Sequence, residues 1–99
     1  MILVSGRFRL PPERMAEARP AMAKVIAKSL AEAGCRAYSY AEDLTDPGLF
    51  RVHEEWDSLE ALRAHFAAPY MKEWQSVRET LGFHDREVAA YEVGEAMAL

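Results

Sequence analysis

Leu49-Phe50-Arg51-Val52-His53-Glu54-Glu55-Trp56-Asp57-Ser58-Leu59-Glu60-Ala61-Leu62-Arg63-Ala64-His65-Phe66 is where two structural periods meet without a linker. From Phe50 to Trp56 the alternation of a strand puts Phe50, Val52, Glu54 and Trp56 on one side, and Arg51, His53 and Glu55 on the other. One carboxylate thus shares an otherwise apolar face with an indole. Asp57 or Ser58 can cap the helix that follows, with Glu60 three residues after Asp57 as a capping-box partner. Leu62, His65 and Phe66 then share a helical stripe, so His65 is expected to point inward. If the helix folds back over its own strand, Glu54, Trp56 and His65 converge on one cavity with a base, a donor and apolar walls.

The remaining elements are read outward from this stretch. Upstream, Cys35 to Glu42 forms a strand in which Arg36, Tyr38, Tyr40 and Glu42 oppose Cys35, Ala37, Ser39 and Ala41. Asp43-Leu44-Thr45-Asp46-Pro47-Gly48 is turn chemistry, which predicts an antiparallel hairpin with the Phe50 to Trp56 strand. Before these, Ile2 to Arg9 alternates as a strand, with Gly6 expected to leave open space on its buried face. Pro11 and Pro12 suit a helix start, and Met15, Ala18, Met22, Val25, Ile26, Ser29, Leu30 and Ala33 recur at helical spacing. Pro20 predicts a bend or an irregular first turn, and Gly34 is expected to end the helix at its C′ position.

Downstream of His65, Ala67-Ala68-Pro69 marks a break. Tyr70, Trp74, Val77 and Leu81 make another apolar helical stripe ended by Gly82, and Phe83 to Val93 reads as a fourth strand with polar ends. The order strand, helix, strand, strand, helix, strand predicts an α+β, ferredoxin-like βαββαβ fold: an antiparallel four-stranded sheet with helices on one face. The other face, carrying Leu3 and whichever of Tyr38 and Tyr40 point that way, would stay wet in a monomer. Two such sheets packed face to face make a small closed barrel.

Ninety-nine residues make one domain, spanning 1–99, with a small core that a partner subunit would help. The net charge of −4 has both signs interspersed, which argues against nucleic acid or an anionic membrane as partner. A lone Cys35 cannot form an internal disulfide, and the N-terminal run is too short for a signal peptide or membrane span, so a cytoplasmic protein is expected. No CxxC pair, HExxH, GxGxxG or P-loop proposes a metal or nucleotide site.

Gly6 in the first strand, Gly34-Cys35 and Tyr38 around the second, Glu54-x-Trp56, Ser58, Ala61-Leu62, His65 and Pro69-Tyr70 follow one another in an order and spacing that resembles the antibiotic biosynthesis monooxygenase family, quinol monooxygenases included. The resemblance spans nearly the whole chain. It implies a homodimeric α/β barrel with a pocket between helices and sheet, oxygenating phenolic or hydroquinone-type substrates with molecular oxygen and no metal, flavin or haem. A haem-degrading branch is similar in outline and uses an Asn on the first strand and a His on the last helix. Here Gly6 and Trp74 lie near those positions and the chain has no Asn, which disfavours haem degradation.

Of the candidates, His65 is expected to be the general base, or Glu54 if burial raises its pKa. Trp56 would offer its indole N–H to a substrate oxygen. Arg36, Tyr38, Phe50, Val52, Phe66, Tyr70 and Trp74 are expected to line the substrate site, with Arg36 stabilising a substrate anion. The competing structural roles are a His bonded to a backbone carbonyl, a Glu54 paired with Arg7 or Arg36, and plain core for the aromatics. His53 and His84 fall outside the apolar faces, and Cys35 reads as a packed small residue. Two other functions stay open: a non-catalytic small-ligand-binding dimer, and an isomerase or decarboxylase on the same fold.

Overall fold

The computed structural model describes all 99 residues. Strand β1 spans Ile2–Arg9, and a 3₁₀ turn over Pro12–Arg14 leads into helix α1, Met15–Leu30. Strands β2, Cys35–Glu42, and β3, Leu49–Trp56, form the expected antiparallel hairpin. Helices α2, Leu59–Ala67, and α3, Pro69–Leu81, precede the last strand β4, His84–Glu92. The sheet order is β2-β3-β1-β4 with every neighbouring pair antiparallel, so the fold is ferredoxin-like, its second helical leg broken in two.

The break and its flanks follow from local chemistry. Ser58 is extended and its Oγ accepts from the Ala61 N–H at 3.1 Å, so Ser58 is the cap of α2, a contact worth about 1 kcal/mol. Asp57 instead faces Arg36 across the surface. Ala68 is extended because Pro69 disfavours a helical residue before it, and Pro69 opens α3 at its first position. Gly82 closes α3 in the left-handed region.

Helix α1 ends earlier than its spacing suggests. It runs unbroken through Pro20 but stops at Leu30, and the chain makes a turn over 31–34 with Gly34 at φ 83°. A Cβ on Gly34 would stand 2.7 Å from the Ala61 Cβ, so the missing side chain lets this turn close on α2. The turn carries Glu32 over the site.

The helices cover one face of the sheet. On β3 that face carries Phe50, Val52, Glu54 and Trp56, all buried, as the alternation requires. Tyr38 stands opposite Glu54, and Tyr40 opposite Val52, so both tyrosines lie under the helices and not on the bare face. Phe8 stacks on Phe50 and Phe83 with ring centroids 5.3 and 4.9 Å apart, closing one end of the core. Gly6 does not leave open space: a Cβ there would lie 2.1 Å from the Glu87 carbonyl oxygen and 2.6 Å from the Val88 Cα. The space is filled by the β4 backbone.

The bare face is more polar than expected. It presents Leu3 beside Tyr91 and Ser5 beside Ala89, flanked by an Arg7–Glu87 ion pair and a His53–Glu55 pair. No helix is long and apolar enough to cross a membrane.

Candidate active site

Glu54, Trp56 and His65 come together. Each is almost wholly buried, at 6%, 0% and 1% exposure. β3 supplies the first two from one face, two residues apart, and the Trp56 indole N–H donates to Glu54 Oε1 at 2.9 Å. The His65 ring, brought down by α2, lies with its centroid 4.7 Å from the Trp56 ring and 5.5 Å from Tyr38. Burial pushes the Glu54 carboxyl above its ordinary value, partly offset by the Trp56 hydrogen bond and by the positive field of Arg86. Trp56 therefore spends its donor on Glu54, and a substrate oxygen would have to displace that bond to use it.

Glu32 was not anticipated. Its Oε2 lies 2.5 Å from His65 Nδ1 and accepts the Tyr70 hydroxyl at 2.6 Å. An ionised carboxylate only accepts, so in this arrangement Nδ1 carries a proton and Nε2 of a neutral ring holds the lone pair. That Nε2 is buried without a partner. Ser29 extends the chain, its Oγ 3.3 Å from the Tyr70 oxygen and donating to the Val25 carbonyl at 2.7 Å. Nothing in the helical spacing marked Glu32, since its position depends on α1 ending two residues before it.

The other candidates divide. Tyr38 and Tyr40 share a hydroxyl hydrogen bond of 2.9 Å beneath His65, and burial raises both phenols. Val52 is core, and Phe50 reaches a cavity on the far side, between α1 and β2. Tyr70 and Trp74 line a groove of about 150 Å³ between α1 and α3. Arg36 is not at the site: the β2–β3 register shifts between Cys35 and Ala37, and this bulge sends Arg36 outward to Asp57. Nor does Glu54 pair with Arg7 or Arg36, which are engaged by Glu87 and Asp57. Phe66 is 47% exposed, just past the buried edge of the α2 stripe.

Phe66 and Leu62 wall a cavity of about 270 Å³ between α2, α3 and the β1–β4 half of the sheet, with Val4, Val88 and Ala90 as its floor. Val4 is the β1 partner of Glu54, so this cavity opens one strand away from the carboxyl. Gln75, Arg78 and Arg86 supply its polar side. No three His, Cys, Asp or Glu side chains are grouped to hold a metal ion.

The model of the family described as antibiotic biosynthesis monooxygenase matches residues 1–77, which includes Glu54, Trp56, His65 and all of α2. The chain belongs to this family. An uncharacterised protein of Synechocystis is 31% identical over 98 residues, covering 99% of this chain and 67% of that protein. A crystal structure from Deinococcus radiodurans, named as a candidate antibiotic biosynthesis monooxygenase, superposes with a TM-score of 0.94 at 31% identity, covering 100% of this chain and 98% of the other. A Mycobacterium tuberculosis protein, at 23% identity and a TM-score of 0.84 over 98% of each chain, shares the fold. This chain carries its inward acid, indole and imidazole on β3 and α2, within the matched residues.

Proposed function

We propose that the protein is a monooxygenase that oxidises a phenolic or hydroquinone-type aromatic with molecular oxygen, without a cofactor. The observation that carries this reading is the His65 imidazole: Nδ1 is fixed by Glu32, and Nε2 is buried with nothing to bond. A buried polar atom without a partner is costly, and a phenol O–H is a partner this lone pair would accept. A ring entering the 270 Å³ cavity meets Leu62 and Phe66 of α2, the helix that carries His65. His65 itself does not line that cavity, so α2, of which only Leu62 and His65 are buried, must shift for Nε2 to reach the ring.

The chemistry starts from a spin restriction: triplet oxygen reacts slowly with closed-shell organics, so the substrate itself must become a strong electron donor. His65 Nε2, or the Glu54 carboxylate, takes the phenolic proton. The phenolate passes one electron to oxygen, and the radical pair recombines to a ring hydroperoxide. Loss of water then gives a quinone, one oxygen atom staying on the ring and the other leaving in the water. The apolar floor of Val4, Val88 and Ala90 keeps the anion poorly solvated and hence reactive. Oxygen uptake with a panel of hydroquinones and naphthalene-type phenols tests the proposal: stoichiometric uptake with quinone formation is expected. Binding without uptake across the panel would favour a small-ligand-binding protein, and turnover without uptake would favour an isomerase or decarboxylase.

A further inference from the structure

Arg78 on α3 and Arg86 on β4 face each other across the mouth of the cavity described above and across an adjoining one of about 260 Å³, which also includes Gln75, Glu79, Phe8 and Phe83. Their situation differs from that of the other arginines on the sheet and its loops. Arg7, Arg9, Arg14, Arg36 and Arg51 each pair with a carboxylate, on Glu87, Asp46, Glu17, Asp57 and Asp43. Arg19 and Arg63 are unpaired and stand in solvent; Arg86 is likewise exposed and unpaired, but unlike them it lines both cavities beside Arg78. Arg78 is half-buried, leans over the Trp74 ring with its guanidinium carbon 6.0 Å from the centroid, and has no acid partner. Two like charges held at one apolar cavity, one of them partly desolvated, are unfavourable until an anion joins them.

We propose that Gln75, Arg78 and Arg86 form an anion subsite, and that the ligand of the cavity is an aromatic bearing a carboxylate, whose ring lies on Val4, Val88 and Ala90 while its carboxylate spans the two guanidinium groups. The choice of a phenolic ring rests on the function proposed above; the subsite stands on the arginine pair. Planar guanidinium forks match a carboxylate bidentately, which a neutral substituent cannot reproduce. The acids nearby do not fill the role. Glu79 lines the outer cavity without forming an ion pair with Arg78, and Glu54 acts on Arg86 only through its field. Burial, then the Arg86 charge, lower the proton affinity of Arg78 and outweigh the opposing field of Glu79.

The test compares 2,5-dihydroxybenzoate with its methyl ester, which keeps the ring and removes the charge, by calorimetric titration under nitrogen. No oxidation occurs without oxygen, so the outcome is independent of whether the protein oxidises either compound, which oxygen uptake reports separately. The acid is expected to bind at least about tenfold tighter than the ester, the scale of one charge-assisted hydrogen bond. In the Arg78→Gln/Arg86→Gln double variant, checked for folding by its thermal melt, the two should bind alike with the ester's affinity unchanged. Equal affinities in the unmodified protein, no binding of either compound, or a preference for the acid that survives in the double variant would each overturn the subsite. The comparison in the unmodified protein decides even if the double variant fails to fold.

Discussion

The indole N–H of Trp56 donates to Glu54 Oε1 over 2.9 Å, although the two residues sit on the same strand only two positions apart. Same-face neighbours along a strand lie roughly 6.5–7 Å apart at the backbone, so both side chains lean toward each other under α2 to close the bond. The bond satisfies the indole donor and anchors a carboxyl that burial has made harder to ionise.

That pairing sets a pH dependence. Because the folded-state pKa of Glu54 is raised, holding it ionised costs stability that is absent below the unfolded value and grows as pH rises through the folded one. Glu54→Gln keeps an oxygen for the Trp56 N–H and removes the charge. Its melting temperature should exceed that of the parent at neutral pH, and the gain should fade as pH falls through the carboxylate range. Thermal melts across pH check this, and a gain that is constant with pH would contradict it.

His65→Ala should lower oxygen uptake by ~10² to 10⁴, the usual worth of a general base. Glu32→Gln should lower it less, through loss of the ring's orientation, with Tyr70→Phe smaller still. Steady-state rates on any active hydroquinone, with circular dichroism confirming the fold, give the ranking. If both His65→Ala and Glu54→Gln keep near-parental rates, neither group takes the proton.

Gly6→Ala should destabilise by about 1–3 kcal/mol, because its methyl group would overlap the Glu87 carbonyl and push β4 off β1. Urea denaturation measures the loss. Arg86 rides on β4, so the same substitution should weaken ligand binding more than its distance from the ligand suggests.

A homodimer through the bare sheet face remains our expectation, with Leu3 and Tyr91, cross-strand partners, at its apolar centre. Sedimentation should show a dimer at micromolar concentration, and Tyr91→Asp should shift it toward monomer. A monomeric parent protein would refute this interface.

Element order and most side-chain facings are written in the chain's own periods. Alternation from Phe50 to Trp56 and the helical spacing of Leu62 and His65 are local periods, and burial of an apolar face enforces them whatever the neighbours do. Those periods suffice to place Glu54, Trp56 and His65 inside. What these groups touch depends on contacts between distant elements. Glu32 reaches His65 because α1 stops at Leu30 and a turn closed by Gly34 brings the carboxylate in from 33 residues away. Arg36 leaves the site because a one-residue bulge reverses its side of the strand, and the cavity took Arg78 and Arg86 in its place from α3 and β4. Hydrogen bonds and ion pairs depend on a few ångströms between elements distant in the chain, and a period along one element carries no information about that distance.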